Sequence, residues 1–117
     1  MTLIPILRTQ FVTIHTRNLE VSRRFYVDLL KFPVLDEKGG DFVQIDVAGV
    51  PICVDLDKAP NPLIGKNQIG VQVADLPATI GLLRQKGLEV TTGQSGSGET
   101  WASVADPDGH ELIFIAG

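Results

Sequence analysis

The stretch Val12-Thr13-Ile14-His15-Thr16-Arg17-Asn18-Leu19 has a counterpart in Ile69-Gly70-Val71-Gln72-Val73-Ala74-Asp75-Leu76. Each reads as an alternating apolar run, then Asn or Asp, then Leu, then a helical pattern. The two copies share few identities, so the order of patterns carries the repeat. In the first copy, period-two alternation from Phe11 to Thr16 puts Val12 and Ile14 on one face. Phe11, Thr13 and His15 then share the other. Asn18 is suited to cap a helix, because its side chain accepts from the exposed N–H groups of the first turn. Val21, Phe25 and Leu29 fall at steps of four, with Tyr26 and Leu30 flanking, which predicts an amphipathic helix of about three turns ending before Pro33.

Working outward, strand-like runs follow at 33–36, 41–47 and 50–56. Lys38-Gly39-Gly40 and Ala48-Gly49 are the turn signals between them. The stretch 57–67 contains Pro60, Pro62 and Gly65 without periodicity and reads as a linker. The order then repeats: a strand over 68–73, an N-cap at Asp75 with Pro77 in the first turn, and a helix striped by Leu76, Ile80 and Leu83 that stops at Gly87. Strands are expected at 88–92, 100–105 and 111–116. The reading is an α+β fold of two tandem βαβββ modules, 9–56 and 68–116, in one domain spanning 1–117. Neither half buries enough apolar surface alone, so the two should pack together or exchange with a second chain.

The composition agrees with a small folded domain. The chain has 117 residues, a net charge of −4 and 44% hydrophobic residues. Without a run of Lys or Arg, a nucleic-acid surface is not expected. The single Cys53 allows neither an internal disulfide nor a cysteine-rich zinc site. The opening Leu3-Ile4-Pro5-Ile6-Leu7 is too short for a membrane helix and unlike a signal peptide. It reads as a strand-like arm packing on the domain or on a partner, and the cytoplasm is the expected compartment.

Three further stretches carry a resemblance. Phe25-Tyr26-Val27-Asp28-Leu29-Leu30 resembles the FYxDxLG helix end of the vicinal oxygen chelate superfamily, the glyoxalase, bleomycin-resistance and extradiol-dioxygenase group, with Lys31 where the glycine usually stands. Val71-Gln72-Val73-Ala74-Asp75-Leu76 resembles the entry into its second module. Asp106-Pro107-Asp108-Gly109 resembles its turn before the last strand. The resemblance implies half-barrels enclosing a cavity and a homodimer covering the exposed strand edges.

It also implies where metal ligands would stand. The first histidine position matches Phe11, that of the second module matches Gln68, and the glutamate of the last strand falls on Ile113. Asp55 is a loose match for the carboxylate closing the first module. Hydrocarbon side chains give no lone pair and an amide is a weak donor, so no metal and no cofactor are expected. The candidate ligand-binding residues are Phe11, Thr13, His15, Asp55, Gln68, Gln72, Trp101 and Ile113.

Several of these have two readings. His15 either hydrogen-bonds a neighbouring strand or Gln72, or contacts a ligand. Asp55 is a ligand contact or a salt-bridged rim residue. Trp101, Phe11 and Phe42 either stack on a planar ligand or fill the core. His110 reads as a solvated turn residue, Glu111 as an edge carboxylate that could reach the cavity mouth, and Cys53 as a small buried hydrophobe. The stretch Gly93-Gln94-Ser95-Gly96-Ser97-Gly98 reads as a mobile loop able to act as a lid.

The leading functional reading is metal-independent binding of a small organic molecule, by stacking and a few hydrogen bonds. A divalent-metal lyase, isomerase or dioxygenase with a shifted ligand set (His15, Asp55, Glu111) is the alternative. A structural or regulatory protein with a filled cavity is the third.

Overall fold

A computed structural model describes residues 4–117. It contains two four-stranded sheets, each with one helical segment and each in its own compact unit, one ending at Asn61 and the other beginning at Pro62.

In module one the order is β1 (Val12–Thr16), α1 (Leu19–Arg23) continued by a π-helical turn (Arg24–Leu29), β2 (Val34–Lys38), β3 (Phe42–Val47) and β4 (Val50–Leu56). The sheet order is β1-β4-β3-β2, with β1 parallel to β4 and the remaining pairs antiparallel. Asn18 caps α1 as its residue type predicts, accepting from the Val21 N–H at 3.2 Å. Helical pairing widens where the Leu30 N–H reaches the Phe25 carbonyl at 3.0 Å. The segment then ends on Lys31, whose φ of 65° is left-handed. The expected stripe shifts accordingly: Ser22, Phe25 and Tyr26 are buried, while Val21 and Leu29 are only half-buried. One face of the sheet supplies Ile14, Val43, Ile45, Ile52 and Val54 to the core, and α1 packs on β3 and β4.

Module two repeats the plan with β5 (Gln68–Val73), α2 (Leu76–Gln85), β6 (Thr91–Gln94), β7 (Thr100–Ala105) and β8 (Glu111–Ala116). Its sheet order is β5-β8-β7-β6, again with the first and last strands parallel. Asp75 caps α2 through the Ala78 N–H at 3.0 Å. Leu76, Leu83, Ala102, Val104, Leu112 and Phe114 form its core, while Ile80 is half-buried.

Three sequence expectations need correction. The strand expected at 88–92 begins only at Thr91, because Gly87 (φ 83°) turns the chain and the Leu88 N–H still closes the helix on the Leu83 carbonyl. The stretch from Gly93 is no free loop: β6 runs through Gln94, and Ser95–Glu99 closes a hairpin through Ser95 N–H to Glu99 O (2.8 Å) and Glu99 N–H to Ser95 Oγ (3.1 Å). The N-terminal arm is not a strand over 4–7; Ile6 turns back on the Ile4 carbonyl and Leu7 is 99% exposed, while Leu3 lies outside the described residues.

Candidate functional site

Alternation dictates what each sheet shows on the face away from its helix. In module two, register partners lay out a grid there. Gln72 lies beside Ile115, Ile115 beside Trp101, and Trp101 beside Gly93. The next row is Gly70, Ile113, Ser103 and Thr91, and the last is Gln68, Glu111 and Ala105. A pocket of about 230 Å³ opens on this face, walled by Trp101, Ile113 and Ile115 and edged by Gln68, Glu111, Ser95 and Glu99. A Cβ at Gly70 would meet open space, whereas one at Gly93 would lie 2.6 Å from the Trp101 ring. Gln68 Nε2 donates to Glu111 Oε1 at 3.5 Å.

Module one builds a second pocket on the corresponding face, about 390 Å³, from Phe11, Thr13, Phe42, Gln44, Cys53 and Asp55 with Asp36 at its edge. Thr13, Cys53, Gln44 and Asp36 form one cross-strand row, and His15, Asp55 and Phe42 the next. Burial, with help from the charges of Asp55 and Asp36, pushes the Cys53 thiol above its ordinary range.

The structure thus gathers Phe11, Thr13 and Asp55 in one pocket and Gln68, Trp101 and Ile113 in another. Gln72 and His15 share those faces but line neither pocket. Gln72 sits at the far end beside Gly117. His15 instead places Nδ1 3.8 Å from Asp57 Oδ2. The Asn61 amide, then the Ala59 N–H, then His15 hold the Asp57 carboxyl below its usual range. Glu99, Ser95 and Ile115 escaped the sequence reading. Ile115 was legible from the alternation of β8, but Ser95 and Glu99 arrive through hairpin geometry that has no periodic signal.

His110 corrects its reading as a solvated turn residue, for it is fully buried. Its Nδ1 faces the Asn67 N–H at 3.1 Å and its Nε2 the Gly65 N–H at 3.3 Å. A neutral imidazole has one lone pair, so the shorter contact is the better hydrogen bond. The ring ties 62–67 to the Asp106–Gly109 turn, and Ile64 is buried in that stretch. Asp106 Oδ1 in turn accepts the N–H groups of Asp108 and His110, both at 2.9 Å. Among the described residues, Asp106, Asp108 and His110 are the one group of His, Cys, Asp or Glu whose ligand atoms converge, all within 4.8 Å. Asp106 and His110 face backbone N–H groups, which accounts for the convergence as turn construction.

The profile of the Glyoxalase/Bleomycin resistance protein/Dioxygenase superfamily matches residues 8–114. The chain belongs to this superfamily. Solved structures of the same fold include a lactoylglutathione lyase from Agrobacterium tumefaciens, 14% identical with a TM-score of 0.79, covering 97% of this chain and 96% of that one. A bleomycin-binding protein complexed with bleomycin is 17% identical with a TM-score of 0.74, covering 94% of this chain and 98% of that one. TnmS3, an antibiotic-binding protein from Streptomyces sp. CB03234, is 22% identical with a TM-score of 0.77, covering 97% and 98%. A comparison with curated proteins gave no match. No helix among the described residues is long and apolar enough to cross a membrane.

The divalent ion implied by superfamily resemblance meets a poor donor set here. Phe11 and Ile113 present hydrocarbon, Gln68 turns its amide N–H toward Glu111, and among the described residues neither pocket brings three ionisable donors within ligand distance of one another. The residues at these positions do not fit the ion.

Proposed function

We propose that this superfamily member binds a small organic molecule without a metal ion, in the cytoplasm, as a homodimer of a single-domain chain. The observation that carries the reading is the module-two pocket, in which an indole and two isoleucines form the walls and a few polar groups the edge. Apolar enclosure supplies affinity, and convergent polar groups supply orientation. The half-exposed Trp101 ring offers a stacking surface, with Ile113 where a ligating glutamate would otherwise interrupt the wall. Bleomycin-binding and antibiotic-binding proteins of the same fold lend the reading support. For pairing, the exposed apolar side chains of Ile4, Ile6, Leu7, Phe11 and Val12 offer surface for a second copy to cover.

Metal analysis of protein purified without chelator tests the proposal, followed by thermal unfolding with added zinc, nickel, manganese and iron. No stoichiometric metal and no stabilisation are expected. One removable and restorable ion per chain would overturn the metal-free reading. A screen of planar organic molecules read by the emission of Trp101, the lone tryptophan, then identifies the ligand.

A further inference from the structure

A further cavity lies in module one, between the start of α1 and the β2–β3 turn, and holds about 470 Å³. Among the described residues it shares just Phe42 with the pocket of Phe11 and Asp55. Leu19, Phe42, Val43 and Leu56 form its floor, and all but Val43 are half-buried, so hydrocarbon faces the opening. Gly39 and Gly40 are exposed at its edge, where a Cβ on either would meet nothing within 4 Å. Its volume falls within the roughly 300–1,000 Å³ range of small-molecule sites.

The rim is charged, and its charges are spent on one another or on neighbours. Arg23, on α1, bonds Glu37, on β2, through Nε at 2.8 Å and Nη2 at 3.2 Å. Lys38 Nζ lies 3.0 Å from Asp41 Oδ2, and Glu20 lies 3.8 Å from Arg24. Arg17, between β1 and α1, completes the rim. A charged molecule seated on the floor would compete with these pairs for its counter-charge. A neutral one leaves them in place and gains the hydrocarbon beneath.

We infer that this cavity is a second binding site, and that it takes an uncharged, largely apolar organic molecule. The inference stands apart from the proposed function, which rests on the Trp101 pocket. Polar enclosure by ion pairs and an apolar floor together favour such a molecule over water and over ions.

Three naphthalenes of one ring size and different charge test this by NMR on the full chain: naphthalenemethanol (neutral), naphthalenemethylamine (cation) and naphthoate (anion). The Gly39 and Gly40 amide signals report this cavity, and the Trp101 indole N–H reports the module-two pocket. Naphthalenemethanol should move the two glycine signals saturably and bind at least about tenfold tighter there than either charged probe. Leu19→Ala removes part of the floor and should weaken it about fivefold. Glu37→Gln, at an exposed pair, releases Arg23 from that carboxylate. It should raise naphthoate affinity at least about threefold and leave naphthalenemethanol as it was.

Movement of the Trp101 signal alone, or of neither signal, would overturn the site. Either charged probe binding as tightly as the alcohol would overturn the uncharged class. Glycine signals that move on dilution but with no probe would assign the cavity to a second copy of the chain and overturn the small-molecule assignment.

Discussion

The Gln68 amide donates to the Glu111 carboxylate at 3.5 Å, from register partners on the parallel strands β5 and β8. A neutral donor orients the carboxylate without neutralising it. A lysine at position 68 would neutralise it. Gln68 is exposed, so Gln68→Lys should leave stability within about 0.5 kcal/mol. Because Gln68 edges the module-two pocket, a planar organic probe should bind roughly threefold more weakly, as measured by Trp101 quenching.

Gly93 stands opposite Trp101, where a Cβ would lie 2.6 Å from Cζ2 and 2.9 Å from Cε2 of the ring. Gly93→Ala must displace the indole from the pocket wall. Expected are a shifted Trp101 emission maximum, a stability loss of about 1–2 kcal/mol and about tenfold weaker binding of a planar probe. Emission and affinity unchanged together would show that the ring does not form the wall.

Lys31 occupies a left-handed conformation at the end of the first helical segment, where superfamily resemblance leads one to expect glycine. A side chain there crowds the following carbonyl, a cost glycine avoids. Lys31→Gly should stabilise the chain by about 0.5–1 kcal/mol, read as a higher urea midpoint at unchanged slope.

His110→Ala removes the acceptor that faces the Asn67 and Gly65 N–H groups and should cost about 2–4 kcal/mol in urea unfolding. Gly65→Ala should be similarly severe, because its φ is 83° and its Cβ would fall on the carbonyl oxygen of Asp108. Gly87→Ala provides the contrast. It has the same φ with open space around it, and should cost only about 1 kcal/mol.

Acid should weaken module one in a defined window. Arg23 bonds Glu37 at 2.8 and 3.2 Å and holds its carboxyl below the ordinary value of 4.5. A folded-state value below the unfolded one contributes stability above the unfolded value, and that stability is lost as pH falls through the depressed one. The unfolding midpoint should therefore be flat from pH 7 to about 5 and decline below about 4.5, with a small amplitude because the pair is exposed. Arg23→Gln should reduce the decline and leave the part that comes from Asp57, whose carboxyl is also held below its usual range.

The fold was legible because its signals are local. Asn18 and Asp75 announce two helix starts by residue type alone, and the alternation in β3, β4 and β8 separates core from pocket face. The candidate site was legible in part through the resemblance, which marks the positions of Phe11, Asp55, Gln68 and Ile113 and makes Trp101 a stacking candidate, while alternation adds Thr13 to the face of Phe11. What stayed hidden depends on distant chain segments. Burial of His110 requires 62–67 to fold over it, and nothing near His110 in sequence says so. Ser95 and Glu99 join the pocket only because a stretch rich in Gly and Ser closes as a hairpin.

The parallel pairing of first and last strands in each sheet also has a consequence for synthesis. Hairpins among β2, β3 and β4, and among β6, β7 and β8, close through short turns as soon as they are made. Val12 must wait for Ile52, and Gln68 for Glu111, before their strands can pair. On the ribosome, the first strand of each module thus emerges well before its parallel neighbour exists, and β5, with Ile69, Val71 and Val73 on one side, shares with β1 the need for shielding during translation.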